Sequence, residues 1–139
     1  MILLLDTSAL VKRYREEGGS QRVQHLLGQA RRVVMAAHCK VELAAGLSRD
    51  WRNRLTTRAQ YERDLSLLGE DFADFEVFPL DPRIESFAMA VMEGHNLQSM
   101  DALHIGTAQA AHVDLFVTAD PHQAQAAQAV GLKTELIEA

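Results

Sequence analysis

A short, unbroken apolar run at residues 2–5 ends on Asp6 and leads directly into a segment with helical spacing. The same unit recurs near the other end of the chain. Residues 115–119 are mostly apolar and lead to Asp120, which Pro121 follows. Continuous apolar runs of this length suit strands covered on both faces. Such strands belong to parallel sheets, so the helices must lie on the two faces. Further short runs at residues 32–36, 76–80 and 134–137 are read as strands. Between them lie periodic segments with cap residues at their starts, among them Thr7 or Ser8 for a helix running to about Arg15, then Ser20, Thr56 or Thr57, Asp81 and Asp120. Pro82 and Pro121 stand at first helical positions. The helix near residues 56–75 carries an apolar seam of Tyr61, Leu65, Leu68, Phe72 and Phe75. The helix after residue 38 is read with Val41, Ala44, Ala45 and Ser48 along one stripe. The whole chain, 1–139, is predicted to be one α/β domain with a mainly parallel sheet and no linker or repeat.

Hydrophobic residues make up 47% of the 139, enough for one core without staples. The single cysteine, Cys39, cannot form an internal disulfide and is read as a small packing residue. The first residues show neither the basic start nor the long apolar stretch of a signal peptide, and no run spans a membrane. A cytoplasmic location is the expectation. Charge is divided unevenly. Residues 1–63 hold 12 of the 14 Lys/Arg and 6 of the 19 Asp/Glu, so the net charge of −5 hides a basic first half. That half could follow a phosphate backbone.

Four acids stand in settings where acids are costly. Asp6 and Asp120 lie at the carboxyl ends of apolar strands, where open α/β sheets bind ligands. Either could equally be a helix cap. Asp101 opens a helix made otherwise of Ala, Leu and Ile, and Glu42 sits among Val41, Leu43, Ala44 and Ala45. Converging carboxylates repel, and a divalent cation resolves the repulsion. An all-oxygen set favours hard ions such as Mg²⁺ or Mn²⁺, which can activate water and neutralise charge on a phosphate.

At these residues the chain resembles a known family. Leu5-Asp6-Thr7-Ser8-Ala9-Leu10, Val41-Glu42-Leu43, Asp101-Ala102-Leu103-His104 and Thr118-Ala119-Asp120 stand in the order and context of PIN-domain nucleases, more specifically the VapC-type toxins of toxin–antitoxin pairs. The resemblance covers essentially the whole chain. It implies a three-layer α/β/α domain with a five-stranded sheet ordered 3-2-1-4-5, which puts Asp6 and Asp120 at the point where strand order reverses. It implies Asp6, Glu42, Asp101 and Asp120 as catalytic and metal-binding residues for Mg²⁺, with Mn²⁺ as a substitute. Ser8 or Thr118 would orient a water or a carboxylate. It also implies an endoribonuclease acting on RNA, a VapB-like antitoxin partner and a homodimer. The helices near residues 20–30 and 56–75 are the candidates for the dimer contact.

One departure precedes Glu42, where His38-Cys39-Lys40 replaces the usual small hydroxyl or aliphatic residues. His38 could share a helix face with Glu42, or sit at the surface of the helix start. His104 lies three residues after Asp101, and its apolar stripe suits a core histidine. Arg49, Arg52, Arg54 and Arg58, with Trp51 among them, could contact RNA or form a solvated connection. Two other functions remain open. A phosphatase could use Asp6 as nucleophile, though Ser8 stands where a second acid is common. A non-catalytic binding module would need none of the four acids.

Overall fold

Leu3, Leu4 and Leu5 are each fully buried, as an apolar run must be when both faces of its strand are covered. They form β1 (Ile2–Leu5), the central strand in a computed structural model that describes residues 1–139. β2 (Arg32–Ala36) and β4 (Leu115–Thr118) flank it, and β3 (Glu76–Phe78) and β5 (Thr134–Leu136) form the edges. All four pairings are parallel, and the order is β3-β2-β1-β4-β5.

Successive side chains of a strand point to opposite faces, and two cores follow from this. Leu3, Leu5, Met35, Leu115 and Val117 face one way. They pack against α1 (Thr7–Leu10), α2 (Ser20–Gln29), α3 (Cys39–Arg52) and α4 (Arg58–Asp74). Leu4, Val34 and Phe116 face the other way. They pack against α5 (Pro82–Gly94), α6 (Ser99–Ala111) and α7 (Pro121–Ala129). The expected three layers and strand order are therefore present. No helix is long and apolar enough to cross a membrane.

Three local expectations are corrected. The helix after Asp6 does not run on to residue 15: it is one turn long and tightens into a 3-10 turn at Val11–Arg13. The cap of α2 is Gly19, not Ser20. Gly19 has φ of 90°, a conformation suited to glycine, and an added Cβ would lie 2.5 Å from Ile137 Cγ2. The Ser20 hydroxyl instead donates to the Arg15 carbonyl and accepts from the Glu17 amide. The buried stripe of α3 is Cys39, Leu43 and Leu47, while Val41 is 71% exposed. Burying two leucines removes more apolar surface than burying Val41 with two alanines and a serine. This rotation turns Glu42, Ala45 and Arg49 away from the core.

The small residues of α6 let α5 approach closely. A Cβ at Gly106 would sit 2.8 Å from the Ile84 carbonyl oxygen and 3.1 Å from the Ala88 amide nitrogen, both backbone atoms that cannot swing away. Gly106→Ala should therefore destabilise the protein by roughly 1–3 kcal/mol, the usual cost of overpacking. Thermal melts will read this, and an unchanged or higher melting temperature would contradict the close approach.

Candidate functional site

The pairing of β1 with β4 sets Leu5 opposite Val117. The Asp6 amide continues the ladder, donating to the Val117 carbonyl at 3.0 Å. Both strands then release the chain at their carboxyl ends, where strand order reverses and a crevice opens. Asp6 stands at that point, only 3% exposed. Its Oδ1 accepts from the Ala9 amide at 3.0 Å and from Ser8 Oγ at 2.7 Å. Its Oδ2 accepts from Thr118 Oγ1 at 2.5 Å. Asp6 is thus a helix cap and a buried carboxyl in the crevice at once. Burial raises its pKa above the ordinary aspartate value, although the charge of His104 and the hydroxyl and amide donors act in the opposite direction.

Ser8 and Thr118 complete a small hydroxyl network. Their oxygens lie 3.2 Å apart. Ser8 Oγ accepts from the Ala119 amide at 2.9 Å, and Thr118 Oγ1 accepts from the Asp120 amide at 3.1 Å. The network ties the start of α1 to the segment that carries Asp120. Asp120 caps α7 by accepting from the His122 amide at 2.9 Å.

Asp101 lies in the first turn of α6, half-buried. Gln123 donates to its backbone carbonyl at 2.9 Å, but no protein group donates to its carboxylate. Burial raises the pKa of that carboxyl. His104 opposes the shift, and Asp6, Asp120 and Glu42 reinforce it. Asp6, Asp120 and Glu42 are thus near enough for their charges to bear on Asp101.

Glu42 is held from one side. Thr7 Oγ1 donates to its Oε1 at 2.5 Å, and His104 Nε2 lies 2.9 Å from the same oxygen. His38 Nε2 is 3.4 Å from it. No protein group meets Oε2. Burial pushes the Glu42 pKa up, but the bonds from His104 and Thr7 and the fields of both histidines outweigh it, leaving the carboxyl below its ordinary range.

His104 is a core histidine, 1% exposed, but it also serves the crevice. The expectation of His38 at an open helix surface is corrected. Its ring packs 4.3 Å from that of His104. Its Nε2–H donates to the Met100 carbonyl at 2.9 Å. Burial and the neighbouring His104 lower the His38 pKa. Neither the His104 bond nor Thr7's grip on Glu42 was legible beforehand. The partners are far apart in sequence, and Thr7 looks like a helix-start residue.

One compact donor set could hold a cation. His38, Glu42 and His104 place one ligand atom each within 4.8 Å of one another, and no other three such groups come as close. Mixed nitrogen and oxygen donors suit borderline ions. A ligating histidine ordinarily donates its other N–H to a partner, yet His104 Nδ1 is buried without one. The trio therefore fits an anchor for Glu42 better than a metal cage.

The other sequence candidates separate. Trp51 stacks on Tyr61 with centroids 6.3 Å apart. Arg58 lies over both rings and bonds Glu62 at 3.0 Å. Arg49 does not join that cluster. It lines a groove that begins at Thr7, Ser8 and Glu42.

A family profile described as PIN domain matches residues 3–129. No curated protein matches the chain. Several solved structures share the fold. The FitAcB structure from Neisseria gonorrhoeae has 18% identity and a TM-score of 0.73, with 95% of each chain covered. A DNA-bound VapBC from Salmonella typhimurium has 15% identity and a TM-score of 0.69, with 99% of each chain covered. A VapC toxin of Mycobacterium tuberculosis, described as cleaving the sarcin–ricin loop, has 14% identity and a TM-score of 0.68. It matches over 94% of this chain and 95% of its own.

The raised Asp101 pKa carries a stability consequence. An acid whose folded pKa exceeds its unfolded value favours folding most when protonated. Its contribution is full below the unfolded value and is lost as pH rises through the folded one. In chelator, the melting temperature of Asp101→Asn relative to the parent should therefore rise as pH climbs above about 4, the ordinary aspartate value. A difference that stays flat with pH would show that burial and its neighbours do not raise the Asp101 pKa.

Proposed function

Because the chain belongs to the PIN-domain family, we propose that it is a Mg²⁺-dependent endoribonuclease, with Mn²⁺ as a substitute, that hydrolyses RNA phosphodiester bonds. The observation that carries this reading is the bare carboxylate of Asp101, one turn before the His104 that holds Glu42 and tied through Gln123 to the helix that Asp120 caps. Such an arrangement is costly by itself and productive around a cation.

Asp6, Glu42, Asp101 and Asp120 would hold the ion. When bound, it supplies water activation and neutralises charge developing on the phosphate. The protein's own contribution is placement. Ser8, Thr118 and the Ala9 amide fix both oxygens of Asp6. Thr7 and His104 fix Glu42 and keep it ionised. A phosphatase with Asp6 as nucleophile is the weaker reading, because Ser8 stands where that chemistry commonly has a second acid.

The toxin role draws support from the neighbours. The FitAcB and VapBC structures are similar over nearly the whole chain, and one similar VapC is described as a toxin that cleaves the sarcin–ricin loop. A VapB-like antitoxin is the corresponding partner. A homodimer through α2 and α4 belongs to the same reading, because Leu27, Tyr61, Leu65 and Leu67 are only partly buried against the core.

Asp101→Asn and Glu42→Gln should each lower Mg²⁺-dependent cleavage of RNA by about 100-fold or more. Chelator should abolish cleavage by the parent. The variants should also gain less melting temperature from Mg²⁺ than the parent does. Full activity in either variant, or equal stabilisation by Mg²⁺, would overturn the acidic-centre mechanism.

A further inference from the structure

The face of α3 that carries Glu42 continues through Ala45, Gly46 and Arg49, positions that share one side of a helix. Together with Thr7, Ser8 and Arg15 they line a cavity of about 430 Å³, and Glu42 is the acid of the four that borders it. Its floor is low, since a Cβ added at Gly46 would meet only Arg15 Nη2, at 3.6 Å.

The two arginines of this groove differ. Arg15 pairs with Asp50 at 2.7 Å and reaches the Gly46 carbonyl at 3.5 Å, so its charge is already committed. Arg49 is exposed and makes no ion pair. It lies two turns along α3 from Glu42, about 10 Å down the axis. Four carboxylates repel a polyanion, and an uncommitted guanidinium beside them offsets that repulsion. A guanidinium also matches phosphate oxygens in geometry. That rise along one helix face sets Arg49 apart from the acids, a position suited to a neighbouring phosphate of a strand that passes Glu42. A cavity of this size holds a nucleotide-sized ligand and not a duplex.

We propose that Arg49 is a phosphate-binding subsite that holds a single RNA strand along the α3 groove, next to the phosphate being cleaved. This rests on the nuclease reading above. The groove explains why α3 presents small residues between Glu42 and Arg49: a bulky side chain at Ala45 or Gly46 would stand in the path of the strand.

The test measures binding rather than cleavage. The uncut complex is obtained with the full chain carrying Asp101→Asn, and a labelled single-stranded RNA is titrated by fluorescence anisotropy at several salt concentrations. In that background Arg49→Ala should weaken binding roughly tenfold, the loss of one charge-assisted contact. It should also flatten the slope of log affinity against log salt by about 0.7, the value for one phosphate on a single strand. Arg49→Lys should restore the slope. Ala45→Glu, which puts a like charge on the groove floor, should weaken binding as well. Both sites are exposed, so the melting temperature should not move. Equal affinity and slope for Arg49→Ala and its background would overturn the subsite and leave the nuclease reading intact. Duplex RNA bound as tightly as the single strand would also overturn it. No RNA binding by the background, together with no cleavage by the parent, would overturn both.

Discussion

A carboxylate that must be buried between two parallel strands sets the terms for this site. Asp6 cannot leave the crevice, because the backbone ladder between β1 and β4 runs through its own amide. Its charge is costly there unless donors surround it. The donors come from both sides of the strand-order reversal: Ser8 and the Ala9 amide after β1, and Thr118 at the end of β4. One requirement, satisfying Asp6, thus joins α1 to β4 and the segment leading into α7. The remaining acids then arrive on elements already fixed by the two cores.

Much of this architecture was legible in the amino-acid order. Residues 2–5 and 115–117 lack polar interruption, and only a two-sided layer can bury such runs. The acids stood out because each broke an apolar context, as Asp101 does beside Ala102 and Ile105. What could not be read were contacts whose two halves lie far apart. Glu42 and His104 are separated by 62 positions, and nothing local to either names the other. The face of α3 was misread because Val41, Ala44, Ala45 and Ser48 satisfy helical periodicity as well as Cys39, Leu43 and Leu47 do. Choosing between them requires knowing which residues the neighbouring layer has room to cover. The first helix is shorter than its composition permits, tightening into a 3-10 turn at Val11–Arg13.

The histidine pair gives the crevice a chemical asymmetry. On one side, hydroxyls and amides hold Asp6 while burial raises its pKa. On the other, imidazoles hold Glu42 and the net effect lowers its pKa. Two carboxyls in one crevice are thereby pushed in opposite directions by different donor chemistry. Such divergence separates the protonation behaviour of groups that would otherwise titrate together.

The grip on Glu42 also limits its valency. Thr7, His104 and His38 all approach the same oxygen, Oε1, so only Oε2 is free to face the crevice. A carboxylate anchored in this way has one point of attachment to offer. Single-point ligands leave much of an ion's coordination shell to water, which suits a small ion that gives up its waters reluctantly. A larger ion that draws on two-point carboxylates and many protein oxygens gains less from such a side chain. On the proposed nuclease reading, the hydrogen bonds that immobilise Glu42 would favour a small ion over a large one without any steric wall.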